Sequence, residues 1–176
     1  MDDHRAVVFD LDGTLVRLAV DWAAVATAVE STLADHGLST GGDLWTLVDR
    51  GRTAGVEAAV ERTLAEFEEP GARESERLPL ADRVPSDRPV GVCSLNGERA
   101  ARIALDEHGL SDHIDAVVGR DTIDAQKPDP EPLLATIDRL GVDPDEALFV
   151  GDSASDERTA ERAGVTFAWA SEYDPA

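Results

Sequence analysis

The sequence predicts an α/β protein, a parallel sheet interrupted after its first strand by a helical insert. Three observations carry that expectation. Five short apolar runs mostly lack alternation, as strands covered on both faces do. Helical patterns separate the later runs, which implies parallel strands joined by right-handed crossovers. Between the first two runs, Val16 to Asp87 shows amphipathic helical spacing and no strand pattern. The length, 176 residues, suits one domain with a small insert. Such a chain buries roughly two-thirds of its unfolded surface, enough for its own core.

The expected strands are Ala6–Phe9, Val90–Cys93, Ala116–Val118, Ala147–Val150 and Val165–Ala168. Glu98–His108 reads as a helix stopped by Gly109, and Asp156–Ala163 as one stopped by Gly164. Pro132–Leu140 has proline near its first turn and ends at Gly141. Within the insert, Trp22, Val25, Val29 and Leu33 share a helical face that Asp21 is placed to cap. Val56, Val60, Leu64 and Phe67 form a second apolar stripe, and Leu44, Trp45, Leu47 and Val48 suggest a shorter helix between them. Trp22 and Trp45 read as core of this insert. Glu68–Asp87, rich in proline, arginine and acid, reads as a loop back to the sheet, with Glu66–Glu69 and Glu74–Glu76 as solvated surface. The chain therefore divides into a core, residues 1–15 and 88–176, and an insert, residues 16–87, large enough to fold as a small cap.

Charge excludes some partners. Asp plus Glu is 37, Lys plus Arg is 16, and the net charge is −21. Nucleic acid and anionic membranes would be repelled. The single cysteine, Cys93, excludes an intrachain disulfide and a cysteine-based zinc site. Met1 to Arg5 is followed by only four apolar residues, which is no signal peptide, and no apolar run reaches the length of a membrane span. The expectation is a cytoplasmic protein. Fifteen of the 16 basic residues are arginine and one, Lys127, is lysine. Lysine depletion with excess acid resembles the proteins of extreme halophiles, where a Debye length of about 3 Å screens self-repulsion.

The chemistry concentrates at strand ends. Asp10-Leu11-Asp12-Gly13-Thr14-Leu15 follows the first strand directly. Two carboxylates so close raise one another's pKa unless a cation sits between them, and Gly13 lets the chain turn sharply. Gly151-Asp152-Ser153-Ala154-Ser155-Asp156 follows the fourth strand, where ligands of open α/β sheets bind. Oxygen ligands without a His or Cys cluster fit a hard cation, Mg²⁺ most simply. Ser94 follows the second strand, placed either to hold a phosphate oxygen or to cap the next helix. Lys127, in Lys127-Pro128-Asp129-Pro130, supplies a flexible point charge in a chain that otherwise uses arginine. Asp156 reads either as a ligand or as an acid at a helix N-terminus.

These four segments, in the chain order Asp10–Leu15, Ser94, Lys127–Pro130 and Gly151–Asp156, resemble the four motifs of the haloacid dehalogenase (HAD) superfamily, and the likeness runs from Ala6 to Ala168. The position and size of the insert are similar to the cap of its phosphoglycolate phosphatase-like branch. The resemblance implies a Rossmann-like sheet of order 5-4-1-2-3 and Mg²⁺-dependent hydrolysis of a small phosphorylated metabolite through an aspartyl-phosphate. It makes Asp10 the nucleophile and Asp12 the general acid and base, which also binds metal through its carbonyl. Asp10, Asp152 and Asp156 complete the metal site. Ser94, Asn96 and Lys127, with Gly13 and Thr14, would hold the phosphoryl group. Asp12 favours phosphate esters over dehalogenation, because a halide leaves without a proton and an alkoxide does not. Many members have Asn directly after the second-motif Ser or Thr; here Leu95 intervenes before Asn96. A phosphotransferase or phosphomutase on the same scaffold, and a non-catalytic binder of a phosphorylated ligand or a protein, are the rival readings.

Overall fold

The computed structural model describes residues 4–174. Met1–Asp3, part of the stretch read for a signal peptide, lie outside them. The main sheet contains β1 (Ala6–Phe9), β4 (Val90–Cys93), β5 (Ala116–Val118), β6 (Ala147–Gly151) and β7 (Thr166–Trp169). Every neighbouring pair is parallel, with β1 central, in the order β5-β4-β1-β6-β7. Numbered along the whole chain this differs from the expected 5-4-1-2-3. Two short strands intervene after β1 and shift the numbering; the five strands of this sheet, counted alone, run 3-2-1-4-5.

Helices cover both faces of the sheet, so successive residues enter different cores. Val7, Phe9, Val90, Val92, Leu148 and Val150 join one cluster, which includes Ala100, Ala104 and Leu105 of α4 (Glu98–Glu107). Ala6, Val8, Cys93, Ala147 and Phe149 join the other, with Leu133 and Ile137 of α5 (Glu131–Leu140) and Ala160 of α6 (Ala154–Ala163). α5 and α6 both end on a left-handed glycine, Gly141 and Gly164. Phe9 and Phe149 are fully buried, and truncating either to Ala would remove about 3–5 kcal/mol of stability.

The insert supplies α1 (Trp22–Asp35), α2 (Leu44–Thr53) and α3 (Glu57–Arg73). They pack around a separate core of Val25, Val29, Leu33, Leu47, Val48, Val60 and Leu64. Asp21 caps α1 by accepting from the N–H groups of Ala23 and Ala24. Trp22 packs on this core, but Trp45 does not belong to it and stays 37% exposed.

Two expectations about the insert fail. Strands β2 (Val16–Arg17) and β3 (Glu76–Arg77) pair antiparallel where its two connections to the sheet run side by side. Two residues are too few to leave a periodic signal. Glu68–Asp87 is also not simply a loop: α3 continues through Pro70 to Arg73, and Pro79–Arg83 form a 3-10 helix. The reason is tertiary. Gly71 packs so closely on Ala19 and Val20 that a side chain would clash with both, and its carbonyl accepts from the N–H of Ala19 at 3.0 Å. Ala72 is fully buried. Packing of this last turn overrides the proline.

Candidate active site

Parallel strands send their C-terminal ends to one edge of the sheet, and the predicted residues converge there. Asp10 extends β1; its N–H donates to the Val150 carbonyl at 2.8 Å, which fixes it beside the end of β6. The N–H groups of Thr14, Leu15 and Val16 all donate to the Leu11 carbonyl, folding residues 11–16 into a tight turn. Gly13 makes that turn possible with φ of +91°. A Cβ at Gly13 would overlap the Asp152 carboxylate, so glycine also admits that group.

Asp10, Lys127 and Asp156 form a buried unit. The Lys127 ammonium donates to Asp10 Oδ1 at 2.7 Å and to Asp156 Oδ1 at 2.6 Å. It lies 5.6 Å from the centre of the Phe149 ring, and the Lys127–Pro128 peptide is cis. Burial works against the ammonium, but Asp10 and Asp156 together hold its pKa above the usual lysine range. Burial pushes Asp10 up to about 7; Lys127 opposes the rise and the Asp156 charge adds to it. Asp156 also closes the N-terminus of α6, accepting from the N–H and hydroxyl of Ser153 while the Ser153 hydroxyl receives its N–H. Asp156 is therefore the acid at the N-terminus of α6, and it also belongs to this cluster.

Exposed Asp152 completes a group of three acids. Carboxylate oxygens of Asp10, Asp152 and Asp156 lie within 4.8 Å of one another. Burial and the charge of Asp156 raise the pKa of Asp152. Three acids share one ammonium, and that deficit of positive charge, with oxygen donors alone, fits a hard divalent cation. The carboxylate of Asp12 stands outside this group; its Oδ1 accepts from the N–H of Leu18 at 2.9 Å, and burial raises its pKa.

The second strand end is built as a turn. The Ser94 hydroxyl donates to Asn96 Oδ1 at 3.0 Å and accepts from the Asn96 N–H at 3.1 Å. Ser94 does not cap α4; Gly97 holds that position. Leu95 and Asn96 line a cavity of about 480 Å³ together with Asp10, Asp12, Lys127, Asp152, Ser153 and Asp156. Gly13 and Thr14 instead line a second cavity, which Asp152 also lines, and the buried Thr14 hydroxyl has no partner among the described residues.

Sequence reasoning missed the group beneath this turn. Glu68 is fully buried, not solvated. Its carboxylate accepts from Arg120 Nη1 at 2.8 Å and Nη2 at 3.0 Å, from the Gly97 N–H at 3.2 Å and from Asn96 Nδ2 at 3.4 Å. Arg120, at the end of β5 and 2% exposed, also donates to Glu61 and to the Leu95 carbonyl. α3 is thereby tied to the turn that carries Ser94 and Asn96. The available signal was position: Glu68 falls four residues after Leu64 and eight after Val60, on the apolar stripe of α3.

The chain is similar to known proteins along most of its length. Residues 86–170 match the family model for haloacid dehalogenase-like hydrolases. A protein of Rhodospirillum rubrum named phosphoglycolate phosphatase is 35% identical, over 92% of this chain and 77% of its own. One of the same name from Aquifex aeolicus is 33% identical, over 94% of this chain and 84% of its own. The crystal structure of a HAD-superfamily hydrolase, subfamily IA, from Geobacter sulfurreducens superposes with a TM-score of 0.64 at 26% identity, covering 93% of this chain and 88% of that one. Identity at that level, sustained along nearly the whole length, is common descent, and the chain belongs to the haloacid dehalogenase-like hydrolase family.

Proposed function

We propose that this chain is a Mg²⁺-dependent phosphatase that hydrolyses a small phosphomonoester through an aspartyl-phosphate on Asp10, with residues 16–87 as the cap over a core of residues 1–15 and 88–176. The observation that carries the reading is the buried Asp10–Lys127–Asp156 unit at the end of the central strand, with Asp152 beside it. The names of the Rhodospirillum and Aquifex relatives support a small phosphorylated substrate and make phosphoglycolate one ester to test.

Asp10 attacks phosphorus as the ester P–O bond breaks. Asp12, whose pKa burial raises, gives its proton to the departing alkoxide. It then takes a proton from water, which attacks phosphorus and releases phosphate and free Asp10. Lys127 holds Asp10 in place and faces the charge that grows on the phosphoryl oxygens. Asn96, which lines the cavity, and Ser94, whose hydroxyl turns from Asn96 Oδ1 to do so, present the remaining donors. Asp10, Asp152 and Asp156 would hold Mg²⁺, with the Asp12 carbonyl as a further ligand. When bound, the ion neutralises the repulsion between these carboxylates and a dianionic substrate.

Asp10→Asn tests the assignment. It is expected to abolish phosphate release while the protein stays folded, and near-normal turnover would contradict it.

A further inference from the structure

The cavity has two ends of different chemistry. The core end holds the acids, Lys127 and Asn96. The cap end is Trp22, Asp43, Leu44 and Trp45, contributed by the N-termini of α1 and α2. A phosphoryl group bound at Asp10 directs its leaving group toward this cap end, so these residues meet the alcohol of the ester.

The cap end offers no cationic side chain to a second anion among the described residues. Among the described residues, Lys127 is the only basic one lining the cavity, and its ammonium is already bonded to Asp10 and Asp156. Helix N-termini attract anions, but the chain's own acids occupy both. Asp21 accepts from the N–H groups of Ala23 and Ala24, and Asp43 accepts from the N–H and hydroxyl of Thr46. Those bonds hold the Asp43 carboxyl below the usual carboxylate range, so a negative charge stands at the rim. Arg17 lies near enough to lower the pKa of Asp12 and Asp152, but it is 63% exposed, pairs with Glu76 at 3.4 Å and is not part of the cavity wall. What the rim does offer is apolar surface. Trp45 is the large hydrophobic side chain left exposed among the described residues, and Trp22 and Leu44 are half-buried beside it.

We infer that the preferred substrate is a phosphomonoester of an uncharged, apolar alcohol, aromatic or branched, whose leaving group packs against Trp22, Leu44 and Trp45, and that a carboxylate-bearing ester such as phosphoglycolate is a poor substrate. This rests on the phosphatase reading above and narrows it. A cavity of about 480 Å³ has room for such a group beyond the phosphoryl moiety.

The experiment compares kcat/KM for phenyl phosphate, 4-carboxyphenyl phosphate and phosphoglycolate, with Mg²⁺ in molar KCl. Phenyl phosphate is expected to exceed both carboxylates by about tenfold or more, a normal return for one well-filled apolar subsite. Trp45→Ala is expected to raise KM for phenyl phosphate about tenfold and to change that for phosphoglycolate far less. Because Trp45 is exposed, this substitution does not endanger folding. Asp43→Asn, which keeps a good helix cap, is expected to narrow the gap between phenyl and 4-carboxyphenyl phosphate. Phosphoglycolate as the best substrate, with Arg17→Ala selectively lowering its turnover, would overturn the inference while leaving the phosphatase reading intact. An unaltered KM for phenyl phosphate in Trp45→Ala would overturn it as well. Absence of Mg²⁺-dependent release from all three esters would overturn both.

Discussion

Lys127 is the residue on which the site turns. It is buried, bonded to two carboxylates, and the only lysine in the chain. Lys127→Met removes the charge that faces the phosphoryl oxygens and is expected to lower kcat about 10²–10³-fold in a phosphate-release assay. Lys127→Arg should not restore it, because a planar fork cannot occupy the place of a compact ammonium between Asp10 and Asp156. Recovery of most of the activity in the arginine variant would contradict this role. Much at this scale was legible. Asp10 and Ser94 stand out because each follows an apolar run directly, Asp12 and Asp152 because each lies within three residues of the end of one, and a rare residue type drew attention to Lys127. The bond from Lys127 to Asp156 was not legible, since 29 residues separate them in sequence and only the crossover brings them together. Trp45 was misread as core because its helical spacing matches that of its buried neighbours Leu47 and Val48, and spacing does not reveal which edge of a stripe is left uncovered.

At the scale of elements, α3 is tied to the end of β5 through Glu61, Glu68 and Arg120, and Glu68 reaches the turn after β4. Burial opposes the guanidinium charge, yet Glu68 and Glu61 hold its pKa above the ordinary arginine value. Arg120→Met leaves the Glu68 carboxylate buried and without its cation, and is expected to destabilise the protein by about 3–5 kcal/mol in denaturant unfolding. Adding Glu68→Gln should recover a large part of that loss; strictly additive effects of the two changes would show that the pair does not act as one unit. The five strands of the main sheet, α4, α5 and α6 could be read from sequence to within two residues because apolar runs and glycine stops are local signals. The end of α3 could not, because Gly71 and Ala72 stay helical by packing on a distant segment of chain. An acid on the apolar stripe of α3 was the trace left by the Arg120 contact, and only its position distinguished it from the exposed Glu66.

For the whole molecule, charge sets the conditions of every measurement. With 37 acidic and 16 basic residues, self-repulsion is screened in molar salt and strong in dilute buffer. Cys93 provides a reporter: it is fully buried, and burial pushes its thiol up to about 12. In molar KCl it should resist a thiol reagent at neutral pH, and it should become reactive as salt is removed and the fold opens. Continued protection in salt-free buffer would refute the halophile reading. Mg²⁺, by relieving the three clustered acids, is expected to raise Tm in KCl, and Asp152→Asn should reduce that rise. The central claim is Mg²⁺-dependent hydrolysis at Asp10. Its most direct measurement is phosphate release from a panel of small phosphomonoesters in molar KCl, with Mg²⁺ or EDTA, by wild type and Asp10→Asn. Release that requires both Mg²⁺ and Asp10 is the predicted result; release that persists in EDTA or in the Asn variant, or none from any ester by folded protein, would contradict it.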